Sequence, residues 1–153
     1  PEPHDRLEEN ATEKSRTIFE LTGQHCVSED TGLEVDALGG EPGVKSARYA
    51  DGAIQYKDNI DTLLQKLENI TDRKARFRTV ISLIIDGKED QFEGICEGSI
   101  ITERKGINGF GYDPVFIPVG AEKTFAEMTM DEKKQFSHRA KALSKLIVFL
   151  KQK

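Results

Sequence analysis

The segment GINGFGYDPVF, residues 106–116, combines residue types that suit direct contact with a ligand. Its glycines let the backbone approach a ligand closely, and they stand beside aromatic side chains and a carboxylate. The segment DEKKQFSHRAKAL, residues 131–143, follows after a short gap and adds lysine, histidine and arginine. Together these groups suit a planar base attached to phosphates. A glycine-rich hairpin loop followed by an ordinary charged helix is the alternative, and the SHR at residues 137–139 argues against it.

Glu29 and Asp30 are adjacent carboxylates within HCVSEDTGLEVDALGGEPGV, residues 25–44. This pattern predicts a strand, a turn at Thr31-Gly32, a short strand and another turn at Gly39-Gly40. The two carboxylates would then leave the end of a strand together, which is an arrangement that binds hard cations such as Mg²⁺. A pair of solvated turn residues is the alternative interpretation.

Lys133, His138 and Arg139 are predicted to present cations to a ligand from one helical segment, since one to two turns separate them. A charged helix face in water would show the same pattern. His138 would also fit as a packing histidine, a common role for a lone histidine. The spacing alone leaves these alternatives open.

Helical and strand periods alternate along the chain and determine where these residues lie. Residues 6–22 are predicted to form a helix that a cap made by Asp5 and Glu8 begins and Gly23 ends. A second helix is predicted over residues 56–69, where leucines and an isoleucine recur on one side.

The second half of the chain predicts two paired strands and a closing helix. Alternating apolar residues indicate a strand over 75–85, Asp86-Gly87 indicates a hairpin turn, and a second strand follows over 89–103. Thr129 and Glu132 form a capping-box pattern before the closing helix. The predicted apolar stripe of that helix consists of Phe136, Ala140, Leu143, Ile147 and Leu150. The chain is therefore predicted to be α/β, with at least one antiparallel pair.

Length and charge exclude several classes of protein. The 153 residues, 37% of them hydrophobic, predict a single domain over residues 1–153. A net charge of −5 with 22 basic residues spread along the chain argues against binding to duplex nucleic acid. Cys26 and Cys96 are far apart, so neither a disulfide framework nor a zinc site is indicated. Without a membrane-length apolar run or a signal-peptide pattern, we expect a cytoplasmic protein that does not interact with membranes.

These motifs together resemble the inosine triphosphate pyrophosphatase family, whose members hydrolyse the non-standard purine nucleoside triphosphates ITP, dITP and XTP. Order and spacing agree over nearly the whole chain, so the resemblance does not depend on one motif. The matching blocks are LEENATEKS (7–15), EDTGLEVDALGGEPGVKSARYA (29–50), GFGYDPVF (109–116), KTFAEM (123–128) and DEKKQFSHRAKAL (131–143).

The resemblance implies an elongated mixed β-sheet flanked by helices, with two lobes, the substrate in the cleft between them, and a homodimer. The family's reaction is attack of water on the α-phosphorus, which releases a nucleoside monophosphate and pyrophosphate, with Mg²⁺ bound to the triphosphate. Donors aimed at a 6-keto oxygen would accept hypoxanthine or xanthine and would leave the amino group of adenine unpaired.

The resemblance also assigns roles to individual residues. Asp30 matches the family's general base and metal-associated carboxylate, Glu29 matches its acidic neighbour, and Thr31 matches a Ser/Thr that contacts substrate. An aromatic ring in the matching loop can stack on the purine. The loop residues are Phe110, Gly111, Tyr112 and Asp113, and the residues of the segment that recognises the base are Lys133, His138 and Arg139.

Family members carry a strand and a Thr-Gly-Asn loop, with a lysine a few residues later, before the segment that matches Pro1-Glu2-Pro3 here. We therefore expect a chain that is N-terminally truncated relative to the family, a weakened phosphate site, and an open sheet edge that favours self-association. Two hypotheses follow. The chain is an active Mg²⁺-dependent pyrophosphatase, or it is a non-catalytic remnant that acts as a nucleotide-binding or dimerising module.

Overall fold

The structure, a computed structural model, describes residues 5–50 and 58–152. Pro1-Glu2-Pro3 and the first residues of the helix predicted over 56–69 lie outside that part of the chain. The α-helices of the described residues are α1 (Leu7–Thr22), α2 (Asn59–Lys66), α3 (Met130–Lys134) and α4 (His138–Lys151). The β-strands are β1 (Cys26–Val35), β2 (Pro42–Gly43), β3 (Lys74–Ile85), β4 (Lys88–Ile100) and β5 (Phe116–Pro118).

The five described strands form one sheet in the order β2-β1-β3-β4-β5, and each pairing between them is antiparallel. Helix α1 packs on one face, where Ser15 donates to the carbonyl of Ser82 at 2.9 Å. Helix α4 packs on the other face, where Ala142 and Leu146 meet Ile81. The predicted α/β class, with a sheet flanked by helices, is confirmed.

The central hairpin forms where the sequence predicts it. Asp86 and Gly87 have φ angles of 52° and 78°, and two consecutive positive φ angles are what a tight two-residue hairpin turn requires. The turn joins β3 to β4, whose paired residues run from Ile85 opposite Lys88 to Lys74 opposite Ser99. These long strands form the middle of the sheet.

The start of α1 differs from the predicted cap. Arg6 occupies the N-cap position without a side-chain cap hydrogen bond. Glu8 instead meets Arg6 at 3.0 Å and Arg78 of β3 at 3.3 Å. A guanidinium is a stronger partner for a carboxylate than a backbone amide, so the tertiary contact prevails over the local one. At the other end Gly23 has φ 68° and ends the helix as predicted.

The predicted turn at Thr31-Gly32 is wrong, because β1 continues without interruption through both residues. Gly32 is instead required by the close packing of two strands. A Cβ at this position would lie 2.6 Å from the carbonyl oxygen of Gly43 in β2. The glycine therefore allows two strands to approach closely, which a sequence pattern cannot distinguish from a turn.

The predicted apolar stripe of the closing helix is also wrong. Ala142 and Leu146 are the buried apolar positions of α4, while Leu143 and Ile147 are 42% and 49% exposed. Gly94 of β4 explains why a different side of α4 faces the sheet. A Cβ at this position would lie 1.9 Å from the carbonyl oxygen of His138 and 2.6 Å from the amide nitrogen of Ala142. The helix backbone is docked onto the glycine, and this contact decides which side faces the sheet.

The main core lies where the end of β1, the start of β3 and the end of β4 run side by side, and it includes three phenylalanines. Phe77 meets Phe116 edge to face with ring centroids 4.5 Å apart, and Phe125 lies 5.3 Å from Phe116. Arg73 donates to the carbonyls of Ile100 and Leu67 and so ties the end of α2 to β4. No helix of the described residues is long and apolar enough to cross a membrane.

Candidate functional site

A cavity of about 630 Å³ opens on the α4 face of the sheet. Its lining includes Thr31 and Leu33 of β1 and Phe77 of β3, which are on the same face because they alternate along paired strands. Loops and helices provide the other walls. Their lining residues are Ser46, Ala47, Asn59, Gly109, Phe110, Gly111, Tyr112, Asp113, Met130, Lys133, Lys134, Ser137, His138 and Arg139.

The loop over residues 109–113 is organised around the carboxylate of Asp113. Its Oδ2 accepts hydrogen bonds from the amide of Phe110 at 3.1 Å and from Nζ of Lys133 at 2.7 Å. Gly109 leaves room for this carboxylate, since a Cβ there would lie 2.1 Å from Oδ2. Asp113 is 3% exposed. Its side chain therefore shapes the loop and holds Lys133 in place.

Phe110 carries the exposed aromatic surface of the cavity. Its ring is 64% exposed. The Nζ atom of Lys133 lies 4.9 Å from the ring centroid and Cζ of Arg139 lies 5.6 Å from it. An aromatic face flanked by two cations can stack on a flat heterocycle and also provides donors for its carbonyl oxygens.

His138 lies deep in the cavity wall. Its ring stacks on Phe77 with centroids 4.8 Å apart. Burial, together with the nearby charges of Arg139 and Lys133, lowers the pKa of His138 to about 3. The imidazole is therefore neutral at pH 7. Its Nδ1 atom is buried and has no hydrogen-bond partner among the described residues, so a ligand can satisfy that atom.

Tyr112 joins the loop to the opposite wall. Its hydroxyl donates to the carbonyl of Ser46 at 2.7 Å, and burial raises the pKa of this phenol. The hydroxyl of Ser46 accepts from the amide of Leu33 at 2.9 Å and donates to the carbonyl of Gly43 at 2.6 Å. These hydrogen bonds connect the cavity loop with β1 and β2 and so brace the wall.

Glu29 and Asp30 do not emerge together from a turn, as the sequence pattern predicted. Both lie inside β1, where successive side chains point to opposite faces. Glu29 pairs with Arg139 of α4 at 3.1 Å. Asp30 is 5% exposed and meets Nζ of Lys14 on α1 at 3.2 Å. The two carboxylates therefore face different helices.

This geometry limits how a divalent cation could be held. No group of three or more His, Cys, Asp or Glu side chains within residues 5–50 and 58–152 is arranged to hold a metal ion. Mg²⁺ commonly keeps several waters and binds through one or two carboxylates plus substrate phosphates. Asp30 offers one such carboxylate, but it lies on the α1 face of the sheet, whereas the cavity opens on the α4 face. Glu29 lies on the α4 face and already pairs with Arg139.

The profile of the Ham1 family matches residues 1–149. The chain belongs to the Ham1 family. The dITP/XTP pyrophosphatase of Christiangramia forsetii is 47% identical over 149 residues, which are 97% of this chain and 78% of that protein. The family resemblance in the sequence is thus confirmed.

Solved structures of Ham1 proteins have the same fold. The Ham1 protein of Staphylococcus aureus superposes with a TM-score of 0.91 at 42% identity, covering 99% of this chain and 80% of that chain. A nucleoside-triphosphatase, also named dITP/XTP pyrophosphatase, from Mycobacterium abscessus gives a TM-score of 0.82 at 42% identity, covering 98% and 78%. The described strands and helices are those of a Ham1 fold.

The structure brings together most of the predicted site residues of this Ham1 chain. The cavity is lined by each residue predicted to bind substrate, namely Thr31, Phe110, Gly111, Tyr112, Asp113, Lys133, His138 and Arg139. The three cationic residues were predicted to lie on one helical segment, but the structure divides them between two helices. Lys133 is on α3, whereas His138 and Arg139 begin α4, which Ser137 caps. Asp30 and Glu29 are outside the lining set, although Glu29 reaches the cavity through Arg139.

Sequence reasoning missed several residues of the site. Lys14 meets Asp30 from a different element, and Phe77, Ser46 and Asn59 line the cavity from three others. No local spacing connects these positions to the motifs. For Lys14 one signal was present, since it falls within the family block over residues 7–15.

Proposed function

We propose that this chain hydrolyses the non-standard purine nucleoside triphosphates dITP, XTP and ITP to the monophosphate and pyrophosphate. The observation that carries the proposal is the cavity in which the exposed ring of Phe110 stands beside the cations of Lys133 and Arg139. Such a cavity suits a flat, carbonyl-bearing base attached to an anionic tail. Membership of the Ham1 family and relatives named dITP/XTP pyrophosphatase support it.

Base selection in this proposal depends on donors around the ring of the bound purine. Phe110 would stack on the base, and Arg139 and Lys133 would donate toward its carbonyl oxygens. The neutral imidazole of His138 leaves Nδ1 to the ligand. Adenine has an amino group where hypoxanthine has a 6-keto oxygen, so ATP would place donor against donor and leave both without an acceptor.

Asp30 is the proposed general base and ligand of Mg²⁺. Its buried carboxylate is held beside Lys14, which also donates to the carbonyl of Glu29 at 3.1 Å. From the cavity, the triphosphate would pass around the edge of β1, which β2 pairs with at Leu33 and Glu34, and so reach Asp30 on the α1 face. Asp30 would orient the attacking water and accept its proton, and Lys14 would keep the carboxylate in position. Bound Mg²⁺ would neutralise charge on the phosphates. Glu29, the other predicted metal residue, would act through its ion pair with Arg139.

We also propose a homodimer that acts on the cytoplasmic nucleotide pool. The partly exposed apolar side chains of α4 support self-association, since Leu143, Ile147 and Leu150 are each more than 40% exposed. Apolar side chains repeated on one side of a helix commonly mark an interface. Solution mass measured by light scattering is the direct test, and a monomer at micromolar concentration would contradict it.

The function is tested by measuring pyrophosphate release from dITP, XTP and ATP with and without Mg²⁺. The proposal expects Mg²⁺-dependent release from dITP and XTP and little from ATP. Equal rates on ATP, or release of orthophosphate in place of pyrophosphate, would refute it. Tight binding of dITP without any hydrolysis would instead favour the non-catalytic nucleotide-binding module.

A further inference from the structure

Thr79 stands behind the cavity, next to a residue that lines it. The backbone register pairs Thr79 of β3 with Thr31 of β1, and their Oγ1 atoms are 2.8 Å apart. Thr31 is partly exposed and contributes to the cavity lining. Thr79 is 0% exposed and does not reach the cavity itself. The two hydroxyls thus form a bond that runs from the core to the ligand space.

The surroundings of the two hydroxyls decide which one donates, although the distance alone permits both directions. Within the described residues, Thr31 is the hydrogen-bond partner of the Thr79 hydroxyl. If Thr31 donated, the hydrogen of Thr79 would be buried without an acceptor. An unsatisfied buried donor is disfavoured by roughly 5- to 150-fold in population. Thr79 therefore donates and Thr31 accepts.

The direction of this bond determines what Thr31 presents to a ligand. Because its oxygen accepts from Thr79, the hydrogen of Thr31 is left to donate into the cavity. With the opposite direction, Thr31 would present lone pairs alone and would repel the oxygens of a nucleotide.

We propose that Thr79 is a positioning residue that makes Thr31 a hydrogen-bond donor to an oxygen of the bound nucleotide. The inference rests on the proposed function, because it takes the ligand to be a nucleoside triphosphate. Thr79 acts only through Thr31 and touches no substrate. A valine at this buried position would keep nearly the same shape and remove the donor.

The test measures kcat and KM for dITP in Thr79→Val, Thr79→Ser, Thr31→Val and the double variant Thr31→Val/Thr79→Val. Thr79→Val should lower kcat/KM by up to about 3- to 10-fold, the effect of one ordinary hydrogen bond, because the Thr31 hydroxyl is then free to rotate away from the nucleotide. Thr79→Ser should restore the parent value, since serine keeps the hydroxyl. In the Thr31→Val background, Thr79→Val should cause no further loss, because its target is already absent.

Three results would overturn the proposal. The first is a Thr79→Val variant that keeps the parent's kcat/KM. The second is a Thr79→Ser variant whose kcat/KM is as low as that of Thr79→Val. The third is a Thr79→Val change that lowers kcat/KM as much in the Thr31→Val background as in the parent. Thermal melts show whether each variant is folded. If the valine variant does not fold, Thr79→Ala compared with Thr79→Ser makes the same test. If the parent releases no pyrophosphate, the proposed function fails. The Kd for dITP is then measured for the parent and the same variants, and the same losses and the same rescue by serine are expected in binding.

Discussion

Replacing His138 with phenylalanine should make the fold less sensitive to acid. Burial, followed by the charges of Arg139, Lys133 and Lys141, lowers the pKa of His138 from its ordinary 6.5 to about 3. Between these values the unfolded chain binds a proton that the folded chain does not. Stability from the neutral imidazole is therefore present above pH 6.5 and is lost as the pH falls below that value.

The size of the effect follows from the two pKa values. Each pH unit between 6.5 and about 3 reduces the free energy of unfolding by about 1.4 kcal/mol. From pH 7 to pH 5 the loss is about 2 kcal/mol, as an order of magnitude. Little discount for solvent screening applies, because His138 is 7% exposed. Phenylalanine keeps an aromatic ring against Phe77 and has no proton to bind.

Urea unfolding at pH 7 and pH 5 measures this difference directly. Between pH 7 and pH 5, the free energy of unfolding of the parent should fall by about 2 kcal/mol more than that of His138→Phe. His25→Phe is the matched control, since the His25 side chain is 61% exposed, and it should retain the parent's loss. Equal losses in the parent and in His138→Phe would show that the buried imidazole does not govern the acid sensitivity.

Three further predictions concern catalysis, recognition and packing. Asp30→Asn should lower kcat for dITP by about 10²- to 10⁴-fold, the usual effect of a lost general base, with an unchanged thermal melt; retention of most activity would refute the assignment. Phe110→Ala should raise KM for ITP and for ATP by roughly 5- to 150-fold through lost stacking. Arg139→Ala should reduce the ratio of kcat/KM for ITP to kcat/KM for ATP in steady-state kinetics. An unchanged KM in the first variant and an unchanged ratio in the second would contradict the proposed base site. Gly94→Ala should lower the free energy of unfolding by about 1–3 kcal/mol or more in urea titrations, because its Cβ would lie 1.9 Å from the His138 carbonyl oxygen. Gly23→Ala has no atom within 4 Å of its Cβ and should lose about 1–2 kcal/mol from its left-handed φ alone; a larger loss there than at Gly94 would contradict the packing argument.

Features with local causes agree with the sequence-based predictions. The capping box predicted from Thr129 and Glu132 is present, with the hydroxyl of Thr129 accepting from the amide of Glu132 at 3.2 Å and the reciprocal bond at 3.0 Å. It begins the short helix α3, however, and the closing helix α4 has its own cap at Ser137. The turn at Asp86-Gly87 likewise forms as predicted. Each depends on residues fewer than five positions apart, so side-chain chemistry and backbone preference are sufficient.

The sequence-based predictions were wrong for features that depend on a distant partner. Gly32 resembled a turn residue, yet it lies within a strand because Gly43 approaches it. Once that turn is removed, strand alternation sends Glu29 to α4 and Asp30 to α1. The expected pair of carboxylates at one turn therefore becomes two separate side chains on opposite faces of a sheet.

By itself, the sequence determined the α/β class, the central hairpin and the residues of the loop over 109–113, because those depend on periodicity and on short-range chemistry. Only the tertiary structure decided which face of α4 is buried and that Lys14 meets Asp30. It also decided that Thr79 lies behind Thr31. These contacts join residues 16 to 48 positions apart or depend on the space beside a glycine. Such contacts arise when strands and helices pack, and packing distance is a property that residue type and spacing along a chain do not contain.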